Sequence, residues 1–305
     1  MEEKNVQSFG YETEAPEERG LWKDVWLRLK KNKVALVGMF FLILLILLSI
    51  GTFVFDIVTK ESFYNEYVIK QNLLEKLKGP SASHIFGQDE FGRDVFLRIL
   101  WGTRYSLLLG VGATLMATLL GGMVGAIAGF YGKKLDNILM RLMDILLSIP
   151  SILLSIAIVA ALGTSRFNVM LAIASSYIPQ YARVVRAAIM EQKSIDYIEA
   201  ARAVGTSDAR IIIRHIIPNA MAPIIVQATL GIAGCILSIA GLSFLGLGIQ
   251  PPVPEWGGML SSARQYMRDA WHITAFPGLA IMLTILSLNL VGDALRDALD
   301  PKLKN

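Results

Sequence analysis

Six long apolar runs limit what this chain can fold into more than any other feature of its sequence. Of its 305 residues, 54% are hydrophobic and only 18% are charged. A helix crosses a bilayer with about 20 mostly apolar residues. We therefore predict an all-α integral membrane protein with six transmembrane helices, of which the fourth is the shortest. The predicted spans cover about residues 34–54, 105–130, 142–162, 167–181, 221–248 and 273–292.

The segment before the first span is polar and basic. Residues 1–20 are rich in glutamate, which predicts disorder, and the first apolar run is too long and too late for a signal peptide. Residues 21–33 place two tryptophans, a valine and a leucine opposite basic residues, which predicts an interfacial amphipathic helix. A simple basic anchor before the first span would use the same charges. The positive-inside rule puts this segment in the cytoplasm and, with six spans, the C-terminus too.

A polar, basic stretch between the fourth and fifth spans, residues 191–219, has the pattern of two helices joined by a turn. Helix-forming residues precede Gly205, which tolerates the left-handed conformation that ends a helix. Ser207 can cap a second helix, with Asp208 in its first turn, where negative charge suits the helix dipole. We expect that helix to end at Pro218. The sequence thus predicts a pair of short helices that project from the membrane.

The residues of this stretch resemble the EAA loop of the membrane subunits of ABC importers. Glu199-Ala200-Ala201 is followed by Gly205 and, thirteen residues later, by Pro218. In that family the loop contains the coupling helix, which sits in a groove of the cytoplasmic ATPase. An ordinary cytoplasmic helical hairpin is the alternative interpretation of the same residues.

One position departs from the family's pattern, because the hydrophobic pair that usually precedes the proline is His215 and Ile217 here. The resemblance nevertheless implies a set of residues that contact the ATPase. Small alanine side chains would allow a close fit, and the glycine would set the angle between the helices. The expected coupling residues are Glu199, Ala200, Ala201, Gly205 and Asp208.

Three other segments resemble the peptide-permease branch of these importers. Residues 84–94, HIFGQDEFGRD, are similar to the H-x-x-G-T-D-x-x-G-R-D signature, with Gln88 in place of the usual threonine. For this segment a capped turn with an Asp–Arg pair is favoured over a metal site, because no second histidine or cysteine follows at ligand spacing. Residues 241–257 and 289–301 are similar to the segments after the branch's fifth span and at its C-terminus. The resemblance extends from about residue 21 to residue 303.

The closest resemblance is to the C-type permease subunits of oligopeptide and dipeptide ABC importers. It implies a type I importer (MetI-like) membrane domain in the bacterial plasma membrane, with both termini in the cytoplasm. Expected partners are the lipid bilayer, a homologous sister permease in a heterodimer, two cytoplasmic ATPase subunits and an extracytoplasmic peptide-binding protein, but no nucleic acid. ATP and magnesium would bind to the ATPase subunits, so this chain is expected to be no enzyme and to hold no cofactor. Oligo- or dipeptides are the expected cargo, with nickel or another small solute as the alternative.

The residues themselves argue against a protein that works alone. Gly132-Lys133-Lys134 lacks the serine or threonine that completes a phosphate-binding loop, and no other such pattern occurs in the sequence. Ion-coupled carriers usually place acids and bases at mid-membrane, whereas the predicted spans contain almost none. A self-sufficient channel or carrier is therefore the less favoured alternative. No set of nucleophile, base and orienting residue in the spans indicates a membrane enzyme.

These features divide the chain into five parts. A cytoplasmic segment, residues 1–33, is followed by the first span, 34–55, and an extracytoplasmic connection, 56–103. The transporter core covers 104–300 and contains the EAA loop, and a cytoplasmic tail covers 301–305. The sequence does not indicate which residues contact the substrate.

Small residues and a proline within the spans predict how the helices pack. Gly121, Gly125 and Gly129 recur at every fourth residue of the second span, which favours close approach of another helix. Pro150 is expected to kink the third span.

Polar residues in and around the spans give three further expectations. Arg141 and Asp144 are expected to pair, because they are three residues apart on one helix. The proline-rich segment that contains Trp256 is expected either to help shape the outer mouth or the dock for the binding protein, or to form a rigid lid over the span ends. Polar residues of the fourth span could line an aqueous path or bond neighbouring helices; they are Ser175, Ser176, Tyr177, Pro179 and Gln180.

Overall fold

The computed structural model describes residues 21–299, apart from the side chains at positions 21, 22 and 24. The predictions for residues 1–20 and for the tail fall outside this part. Within it, regular structure is helical except for one isolated β-bridge. The helices are α1 Leu21–Lys31, α2 Lys33–Val58, α3 Val95–Tyr131, α4 Lys133–Ser148, α5 Ser151–Leu162, α6 Arg166–Lys193, α7 Asp196–Ala203, α8 Asp208–Arg210, α9 Ile217–Asn219, α10 Met221–Phe244, α11 Trp256–Ala263 and α12 His272–Leu299.

Four of these helices, α2, α3, α10 and α12, are long and apolar enough to cross a membrane. The pair α4 and α5 would count as a fifth span, although the two helices are bent by 89° relative to each other. Helix α6 has 28 residues but is more polar along its length. The prediction of an all-α membrane protein is confirmed, whereas the count of six spans is not.

Pro150 breaks the predicted third span instead of bending one continuous helix. A proline disfavours helical geometry in the residue before it, and Ile149 is extended, with φ −91° and ψ 127°. Helix α4 therefore ends at Ser148, and α5 begins afresh at Ser151.

Helix α3 begins ten residues before the predicted start of the second span, because the Asp94 carboxylate caps it. Asp94 Oδ1 accepts a hydrogen bond from the backbone N–H of Leu97 at 2.8 Å. Its other oxygen, Oδ2, lies 2.7 Å from His84 Nδ1. The predicted capped turn is thus confirmed, and the histidine belongs to the cap.

A buried charge cluster holds the same segment together at this end of α3. Asp89 Oδ2 is 2.7 Å from Arg93 Nε and 3.3 Å from Arg98 Nε, and all three side chains are buried. The predicted Asp–Arg pair is confirmed by the first of these contacts. Burial and the neighbouring Asp89 carboxylate raise the pKa of Glu90 above its ordinary value. These side chains hold the segment between α2 and α3 against the helix ends, where it forms an ordered lid.

Trp256 belongs to this lid, and only 1% of it is exposed. Its indole Nε1 donates to the backbone oxygen of Ile99 at 3.1 Å, and its backbone N–H donates to Ser106 Oγ at 3.3 Å. Glu255 caps α11 by accepting from the backbone of Gly257 at 2.8 Å, and burial raises the pKa of this carboxyl. The interpretation of this segment as a rigid lid is supported, and its role in docking the binding protein stays a prediction.

Helices α3 and α6 pack backbone against backbone along the predicted glycine face. A Cβ atom built at Gly121 would lie 2.5 Å from the backbone oxygen of Ile178. At Gly129 it would lie 2.8 Å from the backbone oxygen of Arg186. Since real Cβ atoms do not approach so closely, only glycine permits this contact, and the prediction from the four-residue spacing is confirmed.

Helix α1 packs against the end of α12, so the first and last described helices meet. Val25 and Leu29 are buried in a cluster with Ala294 and Ala298. Trp26, on the predicted apolar face, remains 48% exposed. The amphipathic helix is confirmed, with part of its apolar face turned to α12.

Candidate functional site

The stretch between α6 and α10 forms two helical segments joined by a turn, as predicted. Gly205 has φ +80°, the left-handed conformation that glycine adopts without strain. Its backbone N–H donates to the oxygen of Arg202 at 2.9 Å, which closes the end of α7. Ser207 occupies the cap position of the next segment, but its side chain makes no capping hydrogen bond.

The second segment runs through α8, a π-helical stretch and α9 before the chain turns into α10. The π-helix covers Ile211–Ile216, and α9 contains Pro218 and ends at Asn219, one residue beyond the predicted end. Asn219 ties the two segments together, since its side-chain Nδ2 donates to Tyr197 Oη at 3.0 Å and to the backbone oxygen of His215 at 2.7 Å. The pair of segments, residues 196–219, is called the projecting loop below.

Three isoleucines anchor the projecting loop to the membrane helices. Ile198 of α7 is only 1% exposed, and Ile211 and Ile216 are fully buried. They form one cluster with Phe130 at the end of α3 and Ile189 near the end of α6. Burial of such a side chain contributes about 1.5–3 kcal/mol, so the loop is held firmly against the ends of the two most closely packed helices.

Phe130 joins the loop to α3 and α6 through its ring and its backbone. The Arg202 guanidinium of α7 lies 5.0 Å from the ring centroid, a distance suited to a cation–π contact. Lys193 Nζ, at the end of α6, donates to the backbone oxygen of Phe130. A force on α7 would therefore reach α3 and α6 through one buried residue.

The face of the loop that points away from these anchors is exposed and carries most of the predicted coupling residues. Its two most exposed large apolar side chains are Val204, at 82%, and Ile213, at 67%. Ala201 is half-buried against the isoleucine cluster. The predicted residues that are exposed are Glu199, Ala200, Gly205 and Asp208.

Two ion pairs fasten α4 to α6 next to this loop, and the predicted pair of Arg141 with Asp144 is wrong. Asp144 Oδ1 instead accepts from Arg183 Nη2 at 2.7 Å. One turn further along α6, Arg186 Nη2 donates to Asp136 Oδ2 at 2.6 Å, and its Nε donates to the other oxygen. The i,i+3 rule considers one helix alone, whereas α6 offers Asp144 a partner across the helix contact.

The Asp136–Arg186 pair should contribute measurably to stability. Replacing Asp136 with arginine places two like charges together, and we expect it to cost about 2 kcal/mol of unfolding free energy, since bonds between charged groups contribute about 1.5–3 kcal/mol. The thermal unfolding midpoint of the purified transporter would measure this loss, and exchanging both residues (Asp136→Arg with Arg186→Asp) should restore much of it.

The Asp144–Arg183 pair is the matched control, because it joins the same helices but is about half exposed on both sides. Exposed pairs contribute only about 0–1 kcal/mol. Asp144→Arg should therefore lower the midpoint much less than Asp136→Arg. Equal losses in the two variants would contradict a special role for the bidentate pair.

Two of the polar side chains of α6 bond neighbouring helices. Ser176 Oγ lies 3.0 Å from Ser155 Oγ of α5, and Tyr177 Oη lies 3.1 Å from Ser238 Oγ of α10. Ser175 donates to the backbone of its own helix at 2.7 Å. Of the two alternatives for these residues, helix bonding is thus supported for Ser176 and Tyr177.

Comparison with known proteins places this geometry in context. Residues 121–305 match the family described as "Binding-protein-dependent transport system inner membrane component", and residues 20–80 match the "N-terminal TM domain of oligopeptide transport permease C". Among individual proteins, the chain is 48% identical to the dipeptide transport system permease protein DppC of Alkalihalophilus pseudofirmus, over 93% of this chain and 91% of that protein. It is 44% identical to the di/tripeptide transport system permease protein DppC of Pseudomonas aeruginosa, over 93% of both.

The fold is also similar to a solved structure. An inward-facing conformation of the MetNI methionine ABC transporter aligns with a TM-score of 0.55 and 19% identity, over 67% of this chain and 97% of that one. At this identity the likeness concerns the fold alone, and it agrees with the predicted type I importer membrane domain.

Proposed function

Because the chain belongs to the family of binding-protein-dependent transport system inner membrane components, we propose that it forms part of the path through which an ABC importer takes up short peptides. The observation that carries this proposal is the projecting loop, a firmly anchored helix pair that connects α6 to α10 and has an exposed face. The near-complete relatives named for dipeptides and tripeptides support the choice of cargo. A solute-binding protein would deliver the peptide to the end of the subunit opposite the loop.

The projecting loop is the proposed contact with the ATPase. Glu199, Ala200, Gly205 and Asp208 would form the contact surface, and Ala201 would support it from behind. Closure of the ATPases on ATP would push this surface, and the isoleucine anchors would pass the movement to α3 and α6. The result is a shift between two access states, driven by the difference in nucleotide binding.

The proposed assembly is a heterodimer with a homologous sister permease, two ATPase subunits that bind ATP and magnesium, and a peptide-binding protein. The proposed setting is the bacterial plasma membrane with both termini in the cytoplasm. Packing of α1 against the end of α12 supports a common side for the two chain ends. Ala222 and Val226, at the start of α10 and next to the projecting loop, contact the same cluster. The basic residues of α1, at positions 23, 28, 30 and 31, favour the cytoplasmic side for this end.

Reconstitution of the whole assembly in liposomes tests the proposal. Radiolabelled dipeptide should accumulate only when ATP, the binding protein and all membrane and ATPase subunits are present, because this chain contributes a path but no energy source. Unlabelled di- and tripeptides should compete with the label, whereas nickel should not.

The chain reconstituted alone is the control, and it should transport nothing. ATP-dependent uptake of nickel without competition by peptides would overturn the proposed cargo. Solute transport by the isolated chain at a useful rate would overturn the proposed dependence on partners.

A further inference from the structure

A large groove lies on the membrane-facing side of the bundle, at the end opposite the projecting loop. Its volume is about 820 Å³, within the range of about 300–1,000 Å³ that encloses a small ligand. Helix α2 forms one wall and residues 104–111 of α3 the other, with Ile232 of α10 and Leu288 of α12 also lining it.

The walls of the groove are apolar over a length that suits an acyl chain. Along α2 its lining runs from Leu42 to Ile57, which at about 1.5 Å per residue is roughly 22 Å. One leaflet of the hydrocarbon core is about 15 Å thick. Ile50, Phe53 and Leu108 line the groove and are each more than half exposed. The groove is thus open towards the bilayer.

The end of the groove at the membrane surface is polar and carries an excess of positive charge. Arg104 is neutralised by Asp56, which it contacts through Nη1 at 2.5 Å and which also accepts from Trp101 Nε1 at 2.9 Å. Lys60 and Glu61 also line this end and offset each other. Arg166 is left as the excess cation.

Arg166 is positioned by an aromatic ring and not by an acid. Its guanidinium lies 5.0 Å from the centroid of the Tyr105 ring, and no carboxylate pairs with it in residues 21–299. The side chain is exposed at the start of α6. Its N–H donors are therefore available to an anionic group at the membrane surface, such as a phosphate.

We propose that this groove binds one anionic glycerophospholipid of the leaflet opposite the projecting loop. The acyl chains lie between α2 and α3, and Arg166 binds the headgroup phosphate with Arg104 and Tyr105 beside it. The groove combines an apolar trough at hydrocarbon depth with a cationic end at the surface. A glycerophospholipid has this same distribution of apolar and anionic parts.

Native mass spectrometry of the purified, assembled transporter tests this proposal, with phosphatidylglycerol and phosphatidylcholine as probes. We expect one phosphatidylglycerol to bind more tightly than phosphatidylcholine. Arg166→Gln should weaken phosphatidylglycerol binding about fivefold, since one basic residue near an anionic lipid is worth about 1 kcal/mol. Arg268→Gln is the matched control, because Arg268 is an exposed arginine outside the groove, and it should leave binding unchanged.

A photo-crosslinking amino acid at Leu108, inside the groove, separates a lipid from a protein occupant. Transfer of the label to phosphatidylglycerol supports the proposal. Crosslinks to the sister permease instead would overturn it, because a protein helix would then fill the groove. Equal binding of the two lipids, or binding that Arg166→Gln does not change, would overturn it as well. Each of these outcomes is independent of whether the cargo is a peptide.

Discussion

Replacement of Gly125 with leucine should leave little folded subunit in the membrane and abolish peptide uptake by the assembled importer. A Cβ atom at this position would lie 2.3 Å from the backbone oxygen of Ala182 and 2.9 Å from the backbone nitrogen of Arg186. Because both are backbone atoms of α6, they cannot rotate away, and the two helices must separate. Overpacking usually costs about 1–3 kcal/mol, and a leucine in the closest part of a backbone contact should exceed that range.

Gly122 is the matched control on the same helix. A Cβ atom there would meet only Val185 Cγ2, at 3.9 Å, which is ordinary van der Waals contact. Gly122→Ala should therefore be tolerated and gain up to about 1 kcal/mol of helix propensity, whereas Gly125→Ala should already lower the thermal unfolding midpoint. The yield and the thermal unfolding midpoint of the purified transporter should be measured for the alanine and leucine variants at both positions. If Gly125→Leu and Gly122→Leu gave equally stable protein, the close contact of α3 with α6 would be refuted.

The spacing of the glycines was readable from the sequence, but their partner was not. A four-residue repeat of small residues predicts that some helix approaches this face, whereas the choice of α6 depends on how the whole chain folds. The same holds for the projecting loop. Its turn at Gly205 follows from local backbone preferences, while the anchoring by Ile198 depends on where Phe130 lies.

The wrong prediction about Asp144 has the same cause. We expected Arg141 to pair with Asp144 because the two are neighbours on one helix, but the partner of Asp144 is Arg183 of α6. Likewise, the burial of Trp256 in the lid depends on contacts with Ile99 and Ser106 of α3, which lie far from it in the sequence. Local patterns predict conformation well, and contacts between distant segments decide burial.

The prediction of one continuous third span was wrong for a local reason. Pro150 disfavours helical geometry in the residue before it. Because the residues on both sides are apolar, hydropathy alone does not reveal this break. A proline inside an apolar run of about 20 residues therefore indicates two helices as well as one kinked helix.

Charge reversal at Glu199 should uncouple ATP hydrolysis from transport without affecting membrane insertion. The Glu199 side chain is exposed on α7, so Glu199→Arg should leave the fold of the subunit intact. Loss of one partner of a buried, hydrogen-bonded charge pair at an interface typically costs about 2–5 kcal/mol. With Glu199 covered by the ATPase at the proposed interface, we expect peptide uptake to fall at least tenfold. Uptake by the assembled transporter in liposomes and the stimulation of its ATPase activity by the loaded binding protein should fall together.

Glu191 supplies the control for this charge reversal, because it is also exposed but lies on α6, outside residues 196–219 of the projecting loop. Glu191→Arg should retain uptake.

A second variant, Gly205→Pro, acts through the backbone. Proline fixes φ near about −65°, whereas Gly205 has φ +80° and donates its N–H to Arg202. The angle between α7 and the following segment must then change, and transport should fail while the amount of subunit in the membrane stays near that of the unmodified protein. Since one variant alters the contact surface and the other its orientation, normal uptake in both would leave the projecting loop without a role in coupling.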